Sequence, residues 1–325
     1  MELTREQLVP LVALAGRAPS LHNSQPWRFA LDRGAIELRV DPERGLSVSD
    51  PRARELVISC GAALLTLRLG LRGLGLDVHV DLVPASGDPL LLARVRASHG
   101  DPPTPAEARM LAAVPHRHTE RHGFTRRPLP ATLLQALARD VRTEGSRLVI
   151  VDDERIRTRI THLALRAEDR READPTWQAE RARWVTQEAG RRDGIPVRAL
   201  ADGPFDASFP LPVPRFAPRP ASGGDHQRIG APGRLAVITT GGDTVPDWIS
   251  AGQGLQRLLL RAADTWVFAA FNTAALEDGG DRERLREVLG ITDHPQMLFE
   301  LGCAPSTHST PRLSPASLID TAIRL

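Results

Sequence analysis

Small polar residues are concentrated in one stretch near residue 20. The chain there reads Ala18-Pro19-Ser20-Leu21-His22-Asn23-Ser24-Gln25-Pro26-Trp27. Hydroxyl and amide groups at this density can hydrogen-bond the carbonyl oxygens and ring nitrogens of a planar heterocycle such as a flavin, whose faces prefer apolar contact. A turn that simply ends a helix would have a similar composition. These residues alone therefore leave two interpretations open, a cofactor-binding loop and an ordinary turn.

Arginine and histidine are concentrated in a second stretch. It reads His116-Arg117-His118-Thr119-Glu120-Arg121-His122-Gly123-Phe124, and Arg126 and Arg127 follow. The three histidines could bind a metal, but the arginines would repel a divalent cation, and binding would need neutral imidazoles in that field. Guanidinium groups beside a hydroxyl instead suit a phosphate dianion and a hydroxylated ribityl chain. We predict an anion site and no metal site, with a solvated basic turn as the alternative.

The composition removes several classes of function. The formal net charge of +2 gives no argument for nucleic acid as a partner. The chain contains neither lysine nor tyrosine, so it has no Schiff-base lysine, phosphate-loop lysine or tyrosine acid. Cys60 and Cys303 lie too far apart in sequence for a paired-cysteine motif, and we expect both to be buried. We find no leader and no stretch of membrane-spanning length, which predicts a cytoplasmic protein without a membrane partner.

Hydrophobic periodicity predicts the elements that position the two stretches. A helix at 4–18, capped by Thr4, precedes the first stretch, and an apolar helix that runs from Pro51 toward Gly73 is capped by Ser49 or Asp50. Further helices are predicted at 130–142, 248–263 and 282–289, and strands at 27–32, 36–41, 76–84, 90–97, 147–151, 234–240 and 297–302. The charged helical stretches between 154 and 191 are expected to form a solvated face.

Two proline-rich segments divide the chain. The sequence DPPTPAEAR near residue 105 predicts a boundary between two halves, at 1–115 and 116–325. The second segment, 203–224, repeats proline without a helical or strand period and carries Phe205, Phe209 and Phe216. Because a linker would rarely expose three phenylalanines, we predict that 203–224 is a lid, with a surface excursion as the alternative.

Together these motifs resemble the nitroreductase superfamily of flavin proteins. The match to the family's APSxxNxQPW loop is nearly complete from Ala18 to Trp27, and HRHTER is similar to its arginine-rich phosphate segment. The sequence Thr310-Pro311-Arg312-Leu313-Ser314-Pro315 is similar to the basic residue near the end of many family members. The resemblance covers most of the chain, and the first motif is its most specific part.

The order of the motifs is reversed relative to ordinary family members, in which the phosphate segment comes first. The resemblance is to the Acg-like subgroup, in which two nitroreductase-like halves are fused and share one flavin site. It implies an α+β, nitroreductase-like three-layer sandwich with a mixed sheet flanked by helices and two pseudo-symmetric halves. It also implies a monomer, because the fused halves already supply the family's dimer interface.

The resemblance implies roles for individual residues around one non-covalent flavin mononucleotide (FMN). Arg117, His118 and Thr119 would face the ribityl phosphate, and Arg312 would be a further phosphate partner. Arg121 would approach the pyrimidine edge and stabilise the reduced ring. Pro19, Ser20 and Leu21 would line the ring, Asn23 would hydrogen-bond its edge, and Gln25 would hold the shape of the loop. Trp266 could crowd the ring or the nicotinamide. No catalytic side chain is named, because the cofactor carries the chemistry.

The implied function is that of an FMN-dependent oxidoreductase. It would pass electrons from NADH or NADPH to a nitroaromatic, a quinone or a similar small-molecule acceptor. The alternative is a protein that binds and sequesters FMN with little turnover. A third interpretation discards flavin and treats the arginine stretch as an anion- or nucleotide-binding turn on an unrelated fold.

Overall fold

A computed structural model describes residues 3–85, 87–121, 123–186, 190–200, 233–304 and 309–320. The predicted lid at 203–224 lies outside the described residues, as does His122. Helices and antiparallel strands are both abundant in the described chain, which confirms the predicted α+β class.

Among the described residues, the first part of the chain contains three α-helices and four strands. They are α1 (Arg5–Ala15), β1 (Trp27–Asp32), β2 (Ala35–Val40), α2 (Arg54–Gly73), β3 (Leu76–Leu82), β4 (Leu91–His99) and α3 (Pro105–Ala113).

The second part contains more elements. They are α4 (Ala131–Thr143), β5 (Arg147–Ile150), α5 (Glu154–Glu172), α6 (Pro175–Trp184), β6 (Val185–Thr186), β7 (Ile195–Pro196), β8 (Arg234–Thr240), α7 (Val245–Asp264), β9 (Val267–Phe271), α8 (Ala274–Glu277), α9 (Gly279–Leu289), β10 (His294–Cys303) and α10 (Pro315–Leu318).

The two larger sheets have the same topology. The first has the order β1-β2-β4-β3 and the second the order β5-β8-β10-β9. All pairings between these named strands are antiparallel. In each sheet a 20-residue helix, α2 or α7, follows the second strand and leads into the third. This repetition of order and connection is what two related halves would produce.

Helices α2 and α7 cross at a pair of glycines. A Cβ atom added to Gly252 would lie 2.0 Å from the carbonyl oxygen of Ile58, and one added to Gly61 would lie 2.4 Å from that of Ile249. The helix backbones are therefore in direct contact, which is closer than ordinary side chains allow. This contact joins the two sheets through the centre of the molecule.

The second sheet is buried on both faces. Along β8, Ala236 and Ile238 belong to the central core with α2 and α7, whereas Leu235 and Val237 face a second core built with α5 and α9. The alternation follows from the two-residue period of a strand. The first sheet packs Trp27 and other residues against the central core and exposes alternate residues of β3 on its other face. The sheets and helices therefore form stacked layers.

Helix α2 begins later than predicted. Its N-cap is Ala53, which has a left-handed backbone with φ of +55°, so Pro51 lies before the helix and not in its first turn. The Asp50 carboxylate still acts at this end, because it accepts a hydrogen bond of 2.8 Å from the backbone N–H of Leu56. Although α2 has the length and hydropathy of a membrane span, 83% of that window is buried inside the protein, so α2 is a core helix.

Helix α3 was missed in the proline-rich joint near residue 105. Thr104 and Glu107 form a reciprocal capping box, and Pro105 is the first helical residue. Proline is well suited to this position because the first N–H groups of a helix have no partner within it. The expectation of two buried cysteines is confirmed, since Cys60 and Cys303 are both buried free thiols.

The glycine contact generates a stability prediction. Gly252→Ala should lower the free energy of unfolding by about 2 kcal/mol or more, because the new methyl group would meet a backbone atom that cannot move cheaply. Gly279→Ala in α9 is the matched control, since its Cβ would have no heavy atom within 4 Å. Urea unfolding followed by circular dichroism measures both variants. Equal midpoints would contradict the close crossing.

Candidate functional site

The N-terminal loop, defined here as residues 16–26, has a strained backbone. His22, Asn23 and Gln25 have φ angles of +49°, +57° and +53°, in the left-handed region that non-glycine residues rarely adopt. Such a conformation costs free energy and persists only when the surroundings hold it in place.

Contacts from several segments hold this loop. The hydroxyl of Ser20 accepts a bond of 2.9 Å from the backbone N–H of Gln25. The Gln25 amide donates to the carbonyl of Arg192 at 2.9 Å and accepts from the N–H of Leu313 at 2.9 Å. The backbone N–H of Leu21 donates to Ser59 on α2. The loop is thus fixed by α2, by residues near 192 and by the C-terminal segment.

The arginine segment, defined here as residues 116–121, runs along the edge of the second sheet. Thr119 forms a parallel bridge with Ala269 on β9, and the backbone N–H of Glu120 donates to the Ala269 carbonyl at 2.8 Å. The imidazole of His118 packs on the ring of Phe268, with centroids 3.9 Å apart. Strand β9 therefore positions the segment that follows α3.

The N-terminal loop and the arginine segment meet at one crevice. Its walls include residues 19–22 from the loop and 119–121 from the segment, and it encloses about 1120 Å³ of space outside the protein atoms, part of which is open to solvent. Apolar side chains of α2, α7 and β10 contribute Ile58, Leu255 and Met297. Two stretches about 100 residues apart in sequence therefore line one pocket of the size that binds cofactors.

A cluster of guanidinium groups lies beside the crevice. Arg117 and Arg312 both donate to the backbone carbonyl of Arg17, at 3.1 and 3.3 Å, and Arg121 is close enough to influence both electrostatically. Among the described residues, no carboxylate forms an ion pair with Arg17, Arg117 or Arg312. Arg17, Arg117 and Arg312 thus carry positive charge that no carboxylate of the described residues pairs with.

The cluster also contains unsatisfied hydrogen-bond donors. The Nε and Nη1 groups of Arg117 and the Nε group of Arg312 are buried and have no acceptor among the described residues. Burial and the neighbouring guanidiniums lower the pKa of Arg117 to about 10, and burial lowers that of Arg121 to about 10. The pKa of Arg312 is also lowered, first by burial and then by Arg117. A bound dianion would accept the free N–H groups and stabilise all three cations.

His118 and Thr119 differ in their environments. The Nδ1 atom of His118 lies 2.9 Å from the carbonyl oxygen of His116, and its buried Nε2 has no partner among the described residues. Burial is the main cause of a lowered pKa, which favours neutral imidazole at neutral pH. Thr119 lines the crevice, whereas His118 does not.

Asn23 and Gln25 are placed to hold the loop and do not line the crevice. The Asn23 amide donates to the carbonyls of Gly194 and Pro311 at 2.9 and 3.0 Å, and its oxygen accepts from Arg312 at 2.9 Å. The predicted contact between Asn23 and a flavin edge stays untested, but this geometry favours a positioning role. Trp266 is 48% exposed and does not line the crevice, so this geometry gives no support to its crowding the ring, which stays a prediction.

One wall of the crevice comes from helices that were predicted to be only a solvated face. Arg171 at the end of α5 and Trp177 on α6 line the crevice together with Ile195. Glu180, on the same face of α6 as Trp177, is buried and accepts from the hydroxyl and N–H of Ser49 at 2.6 and 2.8 Å. The run of charged residues predicted a solvent-facing surface and gave no indication of this wall. The sequence signal that could have indicated the wall is Trp177, a tryptophan within that run.

Acidic residues occupy the same wall. Glu55 on α2 and Glu277 on α8 both line the crevice, and Arg171 forms an ion pair with Glu277. Burial raises the pKa of Glu55 to about 7 and raises that of Glu277 well above its usual value. Sequence analysis did not single out either residue, because each is an ordinary glutamate in a helical pattern.

The chain is similar over nearly its whole length to proteins of Mycobacterium tuberculosis. One, named "Putative NAD(P)H nitroreductase acg", is 28% identical over 324 residues, which cover 98% of this chain and 95% of that protein. A second with the same NAD(P)H nitroreductase designation is 30% identical over 305 residues, which cover 92% of this chain and 86% of that protein. A comparison with models of known protein families gives no match.

Among solved structures, the chain is similar to nitroreductases. One from Desulfitobacterium hafniense with bound FMN is 14% identical, with a TM-score of 0.42 and coverage of 66% of this chain and 98% of that chain. An FMN- and NADPH-dependent nitroreductase from a Sphingopyxis strain is 16% identical, with a TM-score of 0.39 and coverage of 65% and 97%. The assignment of a family rests on the sequence relatives, which show that this chain belongs to the NAD(P)H nitroreductase family.

Proposed function

We propose that this protein binds one FMN per chain in the crevice between the N-terminal loop and the arginine segment. The observation that carries the proposal is the cluster of Arg17, Arg117 and Arg312 beside the crevice, in which the Nε and Nη1 groups of Arg117 and the Nε group of Arg312 are buried without an acceptor among the described residues. A phosphate dianion satisfies both the charge and the donors. The alternative of a solvated basic turn fits poorly, because Arg117 is only 7% exposed.

Residues from distant parts of the chain would hold the phosphate. Arg117 would bind it through Nε and Nη1, and Arg312 through Nε, while Asn23 fixes the Arg312 guanidinium by accepting from its Nη1 atom. Thr119 would offer a hydroxyl to the ribityl chain. His118 supports this end by packing on Phe268, and its neutral imidazole adds no further charge.

The isoalloxazine ring would lie in the main crevice. Pro19, Ser20 and Leu21 line one side, and apolar groups such as Ile58 and Leu255 line another. Gln25 keeps this loop in its strained shape and does not itself face the crevice. Arg121, also in the crevice wall, would place a fixed cation where reduction adds negative charge to the ring.

The proposed reaction is electron transfer from NADH or NADPH to a small acceptor such as a nitroaromatic or a quinone. When bound, FMN supplies the two-electron chemistry, and the protein supplies binding, orientation and exclusion of water. We propose a cytoplasmic protein, because reduced nicotinamide is available inside cells.

We also propose that the chain is a monomer built from two related halves, at 1–115 and 116–325. The repeated strand order and the contact between α2 and α7 support this division. The proposed site draws on both halves, since Ser20 comes from the first and Arg121 from the second. The C-terminal segment reinforces the connection, because Ile319 pairs with Phe29 on β1.

Substitution of the phosphate ligands tests the site. Arg117→Ala or Arg312→Ala should weaken FMN binding by about 10- to 100-fold, the loss expected for a charge-assisted pair of hydrogen bonds. Arg126→Ala is the control, since Arg126 lies near the segment but is exposed. Quenching of FMN fluorescence during titration with apoprotein measures the dissociation constants. Equal affinities for all three variants and the parent protein would exclude this phosphate site.

Bleaching of the bound flavin tests turnover. NADH or NADPH added without oxygen should abolish the flavin absorbance near 450 nm, and p-benzoquinone should restore it. The rate of each step is followed by stopped-flow spectroscopy. A protein that binds FMN but is not bleached by either nucleotide would be a flavin-sequestering protein. A protein that never acquires flavin absorbance would have an unrelated anion site.

A further inference from the structure

One wall of the crevice brings together donors that the FMN site does not use. Trp177 on α6, Arg171 on α5, and Thr273 and Glu277 at α8 line it, together with Glu55 on α2. The Arg171 guanidinium lies 5.5 Å from the centre of the Trp177 ring and forms an ion pair with Glu277. The Thr273 hydroxyl donates to Glu277 at 3.4 Å and also hydrogen-bonds Glu55. We call these five residues the donor wall.

We propose that the donor wall is the electron-acceptor subsite. The Trp177 indole N–H would bind an oxygen atom of a quinone or nitro compound, and the Glu55–Glu277 pair would deliver a proton to the acceptor as it is reduced. This inference rests on the proposed function and names the side chains that would take part in the reduction of the acceptor.

Trp177 supplies the first argument. It is 5% exposed, and its buried Nε1 has no acceptor among the described residues. Buried indole N–H groups usually have a partner, and leaving one without a partner costs free energy. The guanidiniums of Arg171 and Arg181 lie 5.5 and 5.0 Å from the ring centre and fix its position. An oxygen-bearing ligand would satisfy this fixed donor.

The balance of charge around the two glutamates supplies the second argument. Glu55 faces Arg54 on its own helix, Asp50 before it and Arg171 on α5. Glu277 faces Arg171, Glu55 and Glu168. Arg171 is shared, because it also forms an ion pair with Glu168 at 3.4 Å.

Four carboxyl groups therefore share three guanidiniums. The carboxyl groups belong to Asp50, Glu55, Glu168 and Glu277, and the guanidiniums to Arg54, Arg171 and Arg181, the last of which faces Glu168. Two buried neighbouring carboxylates do not readily ionise together, so the pair retains a proton near neutral pH. This agrees with a pKa of about 7 for Glu55, which burial raises. A group with that pKa is suited to proton transfer at physiological pH.

The proposed step balances for a quinone. The Glu55 carboxyl would supply one proton to a quinone oxygen, and the other proton and the two electrons would come as a hydride from reduced FMN when it is bound. The quinone becomes a hydroquinone, and the carboxylate left behind is reprotonated from solvent. A one-electron acceptor such as ferricyanide takes no proton and would not need this group.

Stability of the apoprotein tests the proton-holding pair without any cofactor. An ordinary glutamate has a pKa of 4.5, whereas Glu55 in the folded protein has a pKa of about 7. The free-energy cost of ionising Glu55 in the fold is therefore absent below pH 4.5, grows as the pH rises and is complete above pH 7. Glu55→Gln should therefore gain thermal stability relative to the parent as pH rises from 5 to 8. Glu283→Gln, an exposed residue of α9, should show no such trend. A pH-independent difference for Glu55→Gln would refute the shared proton.

Reoxidation of the pre-reduced holoprotein tests proton delivery. Glu55→Gln should slow reduction of p-benzoquinone at least tenfold and flatten its pH profile near 7, while ferricyanide reduction and FMN affinity stay unchanged. Trp177→Phe should raise the quinone concentration at half-maximal rate and leave the ferricyanide rate unchanged. A similar loss of rate with both acceptors, or no change with either, would overturn the proposed role of the donor wall. Failure of the parent protein to bind or reduce FMN would instead overturn the proposed function.

Discussion

The candidate site depends on a cluster of buried positive charge that the described protein does not balance. Arg17, Arg117 and Arg312 are brought together by hydrogen bonds to the carbonyl at the end of α1, and no carboxylate in the described chain pairs with them. Gathering guanidiniums out of water costs free energy, which is why the pKa values of Arg117 and Arg312 fall. Such an arrangement is stable when an anion offsets that cost. This cost is the physical basis of the proposed phosphate site.

The fold explains how this cluster is assembled from distant parts of the chain. The two sheets repeat one topology, and the close contact of Gly61 with Gly252 sets their central helices against each other. The two sheets differ in the connection between their first two strands. A turn of Arg33 and Gly34 joins β1 to β2, whereas the connection from β5 to β8 carries α5 and α6. That connection reaches the N-terminal loop through Asn23 and Gln25 and supplies one wall of the crevice.

Local sequence patterns pointed to the two stretches that line the crevice and to most of the elements. The donors near Ser20 and the guanidiniums near Arg121 are dense in sequence, so composition singled them out, while the flavin interpretation came from the family resemblance. Strand β8 was predicted with its observed bounds, because its apolar run is short and bounded by turn residues. Helix α3 was missed because its prolines were interpreted as a boundary and not as a helix start.

The remaining features depend on contacts between residues far apart in sequence. Trp177, Glu55 and Glu277 come from three different helices and line one crevice. Their proposed roles depend on that proximity, which no periodic pattern in the sequence indicates. The same is true of Asn23, whose amide is occupied by Gly194 and Arg312. Trp266 was expected in the site because of its position after α7, but a left-handed backbone with φ of +62° accompanies its exposed side chain.

A crystal structure of the protein grown with FMN would test the central claim most directly. We predict one FMN per chain, with its phosphate about 3 Å from the Nε and Nη1 atoms of Arg117 and the Nε atom of Arg312. The ring should lie between Ser20 and Arg121. A phosphate bound away from these guanidiniums, or a crevice that stays without FMN at saturating concentration, would contradict this account.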